Sequence, residues 1–179
     1  LGSPRVGSTV LFQLVINHFE SFFPSNSFNR IFQNKDLNLE SLDLSPYLFP
    51  LKNVSYNSDY GKTLHEGEPS EASAFFGTFF GGVHPSEEKS KSPLHHLAEK
   101  FVEFCGSLYR QSQKPLVFKN AWNCFRIKYL SQAVPNACFL WIRRDIADAA
   151  FSDLEARKKR GSTNIWNSAT TSDYLEIQK

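Results

Sequence analysis

The stretch Gly2-Ser3-Pro4-Arg5-Val6-Gly7-Ser8-Thr9 has the glycine spacing of a phosphate-binding loop, Gly-x-x-x-x-Gly-x-Thr. An apolar run follows at once: Val10, Leu11, Phe12, Leu14, Val15 and Ile16. A loop that runs straight into a helix turns its backbone N–H groups, here Val6 to Val10, and the positive end of the helix dipole toward one point. An anion is the natural occupant of that point. The lysine of the triphosphate-hydrolysing version is missing. Ser8 stands in its place, and Arg5 carries the loop's fixed positive charge. Because that lysine reaches the β and γ phosphates, its loss argues against ATP or GTP hydrolysis and for a different nucleotide donor.

The 179 residues suffice for one domain with a real core. No stretch approaches the roughly 18 apolar residues of a membrane span, and a net charge of +2 does not by itself imply nucleic acid. A cytoplasmic location is expected, with the oligomeric state left open. Cys105, Cys124 and Cys138 are an odd count in apolar contexts and read as buried free thiols. Methionine is absent, and only Leu1 precedes the loop where a buried strand normally stands. Residues 1–179 are therefore expected to be a single domain trimmed at both ends.

Apolar residues nearly all round predict a buried helix over 8–22, ended by Pro24. Ser25 to Phe32 fits a short helix, and 36–69 reads as loops and turns. Aromatics and glycine crowd 71–82, and 84–92 reads as an exposed connection. Ser92-Pro93 is a good helix start. Leu94, Leu97, Ala98, Phe101, Phe104, Cys105 and Leu108 then recur at helical spacing, and Lys114-Pro115 stops the helix. Leu116-Val117-Phe118 reads as a short strand, Trp122 to Ala133 as a helix, Cys138 to Ile142 as a buried strand, and Asp145 to Lys159 as a further helix. Apolar strands alternating with helices predict an α/β fold: three layers, α/β/α, around a central parallel sheet.

A second constellation runs from Ile142 to Ser152, where the predicted strand gives way to a helix. Open α/β sheets bind ligands at such crevices. Arg144, at the strand end, and Ser152, two helical turns on, can face one site. A guanidinium fork plus a hydroxyl suits a phosphate monoester. The competing reading is a surface ion network of Arg143 and Arg144 with Asp145 and Asp148, worth little energy.

Together these motifs resemble the P-loop sulfotransferases that use 3′-phosphoadenylyl sulfate (PAPS). Pro4-Arg5-Val6-Gly7-Ser8-Thr9 is similar to that family's 5′-phosphosulfate loop, with Val6 where serine is usual. Arg144-Asp145-Ile146-Ala147-Asp148-Ala149-Ala150-Phe151-Ser152 is similar to its 3′-phosphate motif, with Ile146 where proline is usual. Ser58 to Thr63, Glu68 to Glu71, Pro115 to Asn120, Trp166 to Ala169 and Tyr174 resemble segments of bacterial members near the carbohydrate branch. The resemblance implies a P-loop sulfotransferase fold and metal-independent, in-line transfer of a sulfuryl group from PAPS to a hydroxyl or amine. The acceptor would be a small molecule or carbohydrate. It places the donor on Arg5, Val6, Gly7, Ser8, Thr9, Val10, Arg144 and Ser152. No clustered His, Cys or carboxylates show metal-ligand spacing. Lys158-Lys159-Arg160-Gly161 looks like a further 3′-phosphate motif but follows the Arg144 helix directly, and reads as a solvated helix end.

An alcohol acceptor wants a general base. Glu71 is the first candidate, since it precedes an aromatic wall. Glu68 is the second, and His18, Glu20 and Glu40 are weaker. His18 on a buried helix also reads as a core histidine, and Glu71 also reads as an acid favoured in a first helical turn. Lys119, at the end of a predicted strand, joins Arg5 as a candidate for assisting the leaving phosphate. The alternatives are a small-molecule or nucleotide kinase, for which the loop lysine and a magnesium-holding carboxylate are not found, and a non-catalytic nucleotide-binding protein.

Overall fold

The structure, a computed structural model, describes residues 5–34, 36–48, 54–58, 62–80, 94–159 and 161, with 94–97 described by their backbone alone. Gly2 to Pro4 of the loop, Asp59 to Gly61, the connection over 84–92, Arg160, Trp166 to Ala169 and Tyr174 lie outside the described residues.

Six α-helices follow in order among the described residues: α1 (Ser8–His18), α2 (Asn26–Ile31), α3 (Ser73–Phe80), α4 (Leu94–Ser112), α5 (Ile127–Ala133) and α6 (Ile146–Lys159). Short 3-10 turns cover Ser45–Tyr47 and Ala121–Cys124. The helix α1 is shorter than its apolar run. Phe19 turns extended, with φ −111° and ψ 134°. The run then continues through buried Ser21, Phe22 and Phe23 as extended chain. Aromatic residues favour that conformation, and Pro24 pushes Phe23 away from the helical region. Phe22 forms a parallel bridge with Leu116. Its N–H donates to the Pro115 carbonyl at 2.9 Å, and its carbonyl accepts from Val117 N–H at 2.9 Å.

Side-chain caps position the next elements. Ser25 Oγ accepts from Phe28 N–H at 3.1 Å and starts α2. From within α2, Asn29 Oδ1 accepts from the N–H groups of Ala74 and Phe75 at 3.0 and 3.2 Å, satisfying donors at the start of α3. The helix α4 buries Ala98, Phe101, Phe104 and Leu108, spaced three or four apart. Left-handed Gln113, φ 53°, terminates it, its N–H donating to Tyr109 O at 2.8 Å.

Phenylalanine dominates the core. Phe75 is fully buried and in ring contact with Phe28, Phe32, Phe76, Phe79, Phe101, Phe104 and Phe118, at centroid separations from 5.0 to 5.7 Å. Below α1 a smaller cluster joins Phe12, Phe23 and Val54.

The architecture differs from the expected one. Among the described residues there is no sheet. Pairing is confined to isolated bridges, among them Phe22–Leu116 and an antiparallel one between Ser25 and Pro69, so the three-layer α/β/α arrangement around a central parallel sheet is overturned. Cys138 to Ile142, expected as a buried strand, has no regular secondary structure and joins no ladder, and Leu140 and Trp141 are 55 % and 71 % exposed. An apolar run supplies the tendency to be buried. A strand also needs a neighbour whose backbone groups answer its own.

Other elements also depart from their expected form. α1 is not buried all round, since Val10 and Leu14 are half exposed. Trp122 to Ala133 is broken into a 3-10 turn and α5 around Phe125 and Arg126. Arg126 is fully buried, its guanidinium 5.5 Å from the Phe80 ring and 5.9 Å from the Phe76 ring. Cys105 is largely buried, and burial pushes its thiol up to about 12, but Cys124 and Cys138 are exposed.

Replacing Phe75 by alanine removes the ring on which the others converge. The expected loss of stability is about 3–5 kcal/mol, read as a lower urea midpoint at an unchanged slope. A loss below about 1 kcal/mol would show that the neighbouring rings collapse into the space.

Candidate functional site

The loop before α1 is held in an unusual backbone shape. Arg5 and Gly7 both lie in the left-handed region, at φ 67° and 91°. Glycine tolerates this freely, and a Cβ at Gly7 would meet no atom within 4 Å, so the backbone there is open to close approach. Gly7 precedes α1 without a side-chain cap. The first-turn N–H groups lie ahead of the first intrahelical bond, from Leu11 N–H to Gly7 O at 3.0 Å. The positive end of the helix dipole therefore faces the loop.

The two sequence motifs meet at Arg5. Its Nε donates to Ser152 Oγ at 3.2 Å, and its carbonyl accepts from Arg144 Nη1 at 3.0 Å. Neither contact belongs to the competing reading, in which Arg143 and Arg144 pair with Asp145 and Asp148. Instead Asp145 Oδ1 caps α6, accepting from Ala147 and Asp148 N–H at 2.9 and 3.2 Å. Arg143 stacks over Trp141 at 5.3 Å. On the same helix Lys158 and Lys159 are exposed, Lys158 pairing with Glu155 at 3.0 Å, which agrees with a solvated helix end.

Lys119 joins the loop to the acidic candidate. Its Nζ donates to Thr9 Oγ1 at 3.1 Å and forms an ion pair with the Glu71 carboxylate. The side chains are 12 % and 30 % exposed, so the lysine is the more enclosed partner and Glu71 keeps a face to solvent. Glu71 lies ahead of α3, not in its first turn. Ala72 between them is left-handed, φ 53°, and fully buried. Such strain in a non-glycine residue persists only where its surroundings over-determine it. Asn120 supplies part of that support: its Nδ2 donates to the Glu71 carbonyl at 2.8 Å and to Ser73 Oγ at 3.2 Å.

Sequence reasoning passed over Asn120. Asn120 Oδ1 accepts from Trp122 N–H at 2.8 Å, capping the 3-10 turn. Nothing in the local pattern reveals that its other end reaches the Glu71 backbone.

The remaining base candidates have other surroundings. Glu68 is buried, and its carboxylate accepts from the Ser55 hydroxyl and from the N–H groups of Leu64 and His65 at 3.2 and 3.3 Å. Ser55 is itself tied to α1, its carbonyl accepting from Gln13 Nε2 at 2.9 Å. Glu68 thus clamps a turn and a neighbouring segment together. Burial opposes its ionisation, but the Ser55 hydroxyl and the His65 and Leu64 N–H donors prevail and hold its carboxyl below its usual range. His18 is exposed against the Phe19 ring and is no core histidine, and Glu20 and Glu40 are exposed.

The profile of the sulfotransferase family matches residues 1–176. The chain belongs to the sulfotransferase family. No curated protein and no solved structure matches it. Membership makes it a transferase of sulfuryl groups to a small-molecule acceptor, which sets the kinase alternative aside. Among the described residues no group of three His, Cys, Asp or Glu is placed to hold a metal ion, and no helix is long and apolar enough to cross a membrane.

The Glu68 clamp has a definite pH signature. A carboxyl held down in the folded state contributes stability that is present above its unfolded pKa and is lost as pH falls through the folded one. Glu68→Gln is expected to cost about 1.5–3 kcal/mol near neutral pH, because charge-assisted bonds are lost. In urea unfolding, the gap between parent and variant should close as pH drops below the carboxylate range. A gap that stays constant with pH would remove the ionised clamp.

Proposed function

We propose that this sulfotransferase takes its sulfuryl group from PAPS and delivers it, without a metal ion, to a hydroxyl or amine of a small molecule or carbohydrate. The observation that carries this reading is the meeting of Arg5, Arg144 and Ser152 beside the α1 N-terminus. Cationic forks, a hydroxyl and backbone N–H groups form a donor set suited to the oxygens of an anion such as phosphate. The open face of Gly7 leaves room for such a group against the main chain.

When bound, the donor supplies a sulfuryl group linked through oxygen to a 5′-phosphate. Arg5, with the N–H groups of Val6, Gly7, Ser8, Thr9 and Val10, holds that end. Arg144 and Ser152 hold the 3′-phosphate, which distinguishes PAPS from adenylyl sulfate. Glu71 accepts the acceptor's proton as the acceptor oxygen attacks sulfur and the bond from sulfur to the phosphate oxygen breaks. The electron pair stays on that phosphate oxygen. Lys119 and Arg5 meet the charge developing there, fixed donors being worth most where charge appears in the transition state. Lys119 touches both Thr9 of the loop and Glu71, so one ammonium links the donor side to the acceptor side.

Two measurements test the reading. By calorimetry, Arg144→Ala is expected to weaken 3′-phosphoadenosine 5′-phosphate by about 1.5–3 kcal/mol, the loss of one charged hydrogen-bonding partner. Adenosine 5′-phosphate should be almost unaffected. Equal weakening of both ligands would overturn the 3′-phosphate assignment. Glu71→Gln keeps the shape of the side chain and removes its basicity. It should cut kcat by roughly 10²–10⁴ while donor affinity stays the same. Normal turnover by this variant would place the base elsewhere.

A further inference from the structure

We propose that Asn120 is a positioning residue that sets the Glu71–Lys119 couple by holding the Glu71 main chain. This rests on the reading of Glu71 as the base. Asn120 is 5 % exposed, and the polar atoms of its amide are all engaged. Nδ2 donates to the Glu71 carbonyl and to Ser73 Oγ, and Oδ1 accepts from Trp122 N–H. An amide with two donors and one acceptor fits this arrangement, and no other side chain of its size does.

The geometry gives Asn120 leverage. Its chain neighbour is Lys119, whose ammonium pairs with the Glu71 carboxylate. The residue after Glu71 is the strained Ala72, φ 53°. The carbonyl held by Asn120 belongs to the peptide that links Glu71 to Ala72. Fixing that peptide holds the left-handed turn and aims the Glu71 side chain at Lys119. One amide therefore locks acid and ammonium from behind, out of reach of substrate. Misplacing a reacting group by about 1 Å costs up to about 10²-fold in rate, so losing the lock should appear in kcat and not in donor binding.

Two variants separate this role from simple capping. Asn120→Ser and Asn120→Asp both keep an oxygen able to cap Trp122 N–H. Serine is too short to reach the Glu71 carbonyl, and aspartate has no donor to offer it. With lysines labelled with ¹³C at Cε, the Lys119 resonance is assigned by its loss in Lys119→Arg. It should move in either Asn120 variant toward the position it takes in Glu71→Gln, whereas Ser73→Ala should leave it in place. Turnover is followed as hydrolysis of PAPS, with water as acceptor and sulfate and 3′-phosphoadenosine 5′-phosphate as products. The variants should lose about 10- to 100-fold in kcat with affinity for 3′-phosphoadenosine 5′-phosphate unchanged. In a Glu71→Gln background the same substitutions should cost nothing further, since Asn120 acts only through Glu71.

A Lys119 resonance that stays at its parental position in both Asn120 variants overturns the proposal. So do rate losses that multiply with that of Glu71→Gln. If the parent protein has no affinity for 3′-phosphoadenosine 5′-phosphate, the PAPS reading fails by itself, and the resonance, which needs no donor, still decides the role of Asn120.

Discussion

The stack of Phe75 on Phe118 is the contact on which the arrangement of the site depends. The rings are 5.7 Å apart and within 6° of parallel. Phe75 is two residues into the helix that follows Glu71 and Ala72, and Phe118 immediately precedes Lys119. Packing one ring on the other therefore brings the start of α3 alongside the end of the Leu116 segment. Acid and ammonium meet as a result. The Phe22–Leu116 bridge ties the same segment to the chain leaving α1, which puts Lys119 within reach of Thr9. The aromatic core and the polar site are two sides of one packing solution, and an offset aromatic stack is worth roughly 0.5–1.5 kcal/mol beyond its buried area.

What the sequence makes legible is local. The phosphate loop is visible because its glycine and hydroxyl residues stand at fixed offsets before a helix. The span of α4 follows from residues three and four apart, bounded by Pro93 and Lys114-Pro115. The start of α6 follows from Asp145, whose carboxylate caps it.

Long-range partners are where the reading fails. The apolar run Cys138 to Ile142 looks like a strand on its own, but strand character is a property of pairs. The helix expected over Trp122 to Ala133 breaks where Arg126 turns inward to the Phe76 and Phe80 rings, and no periodicity announces a buried cation. In sequence Glu71 ranks above Glu68 only by its place before an aromatic wall. The fold separates them, giving Glu68 a ring of N–H and hydroxyl donors and Glu71 a lysine. Asn120 gives no sign in sequence that its amide crosses to the Glu71 carbonyl.

The bond from Arg5 to Ser152 spans 147 positions. Contacts between α2, α3 and α4 join nearer stretches of chain, and closing a longer loop costs more entropy. During synthesis from the N-terminus the aromatic core can begin to pack while α6 is still unmade. Arg5 cannot meet Arg144 and Ser152 until α6 has emerged. A nascent or C-terminally shortened chain can thus own a well-packed interior and still lack the contact between the α1 loop and α6, which makes that junction a late event in the life of each molecule.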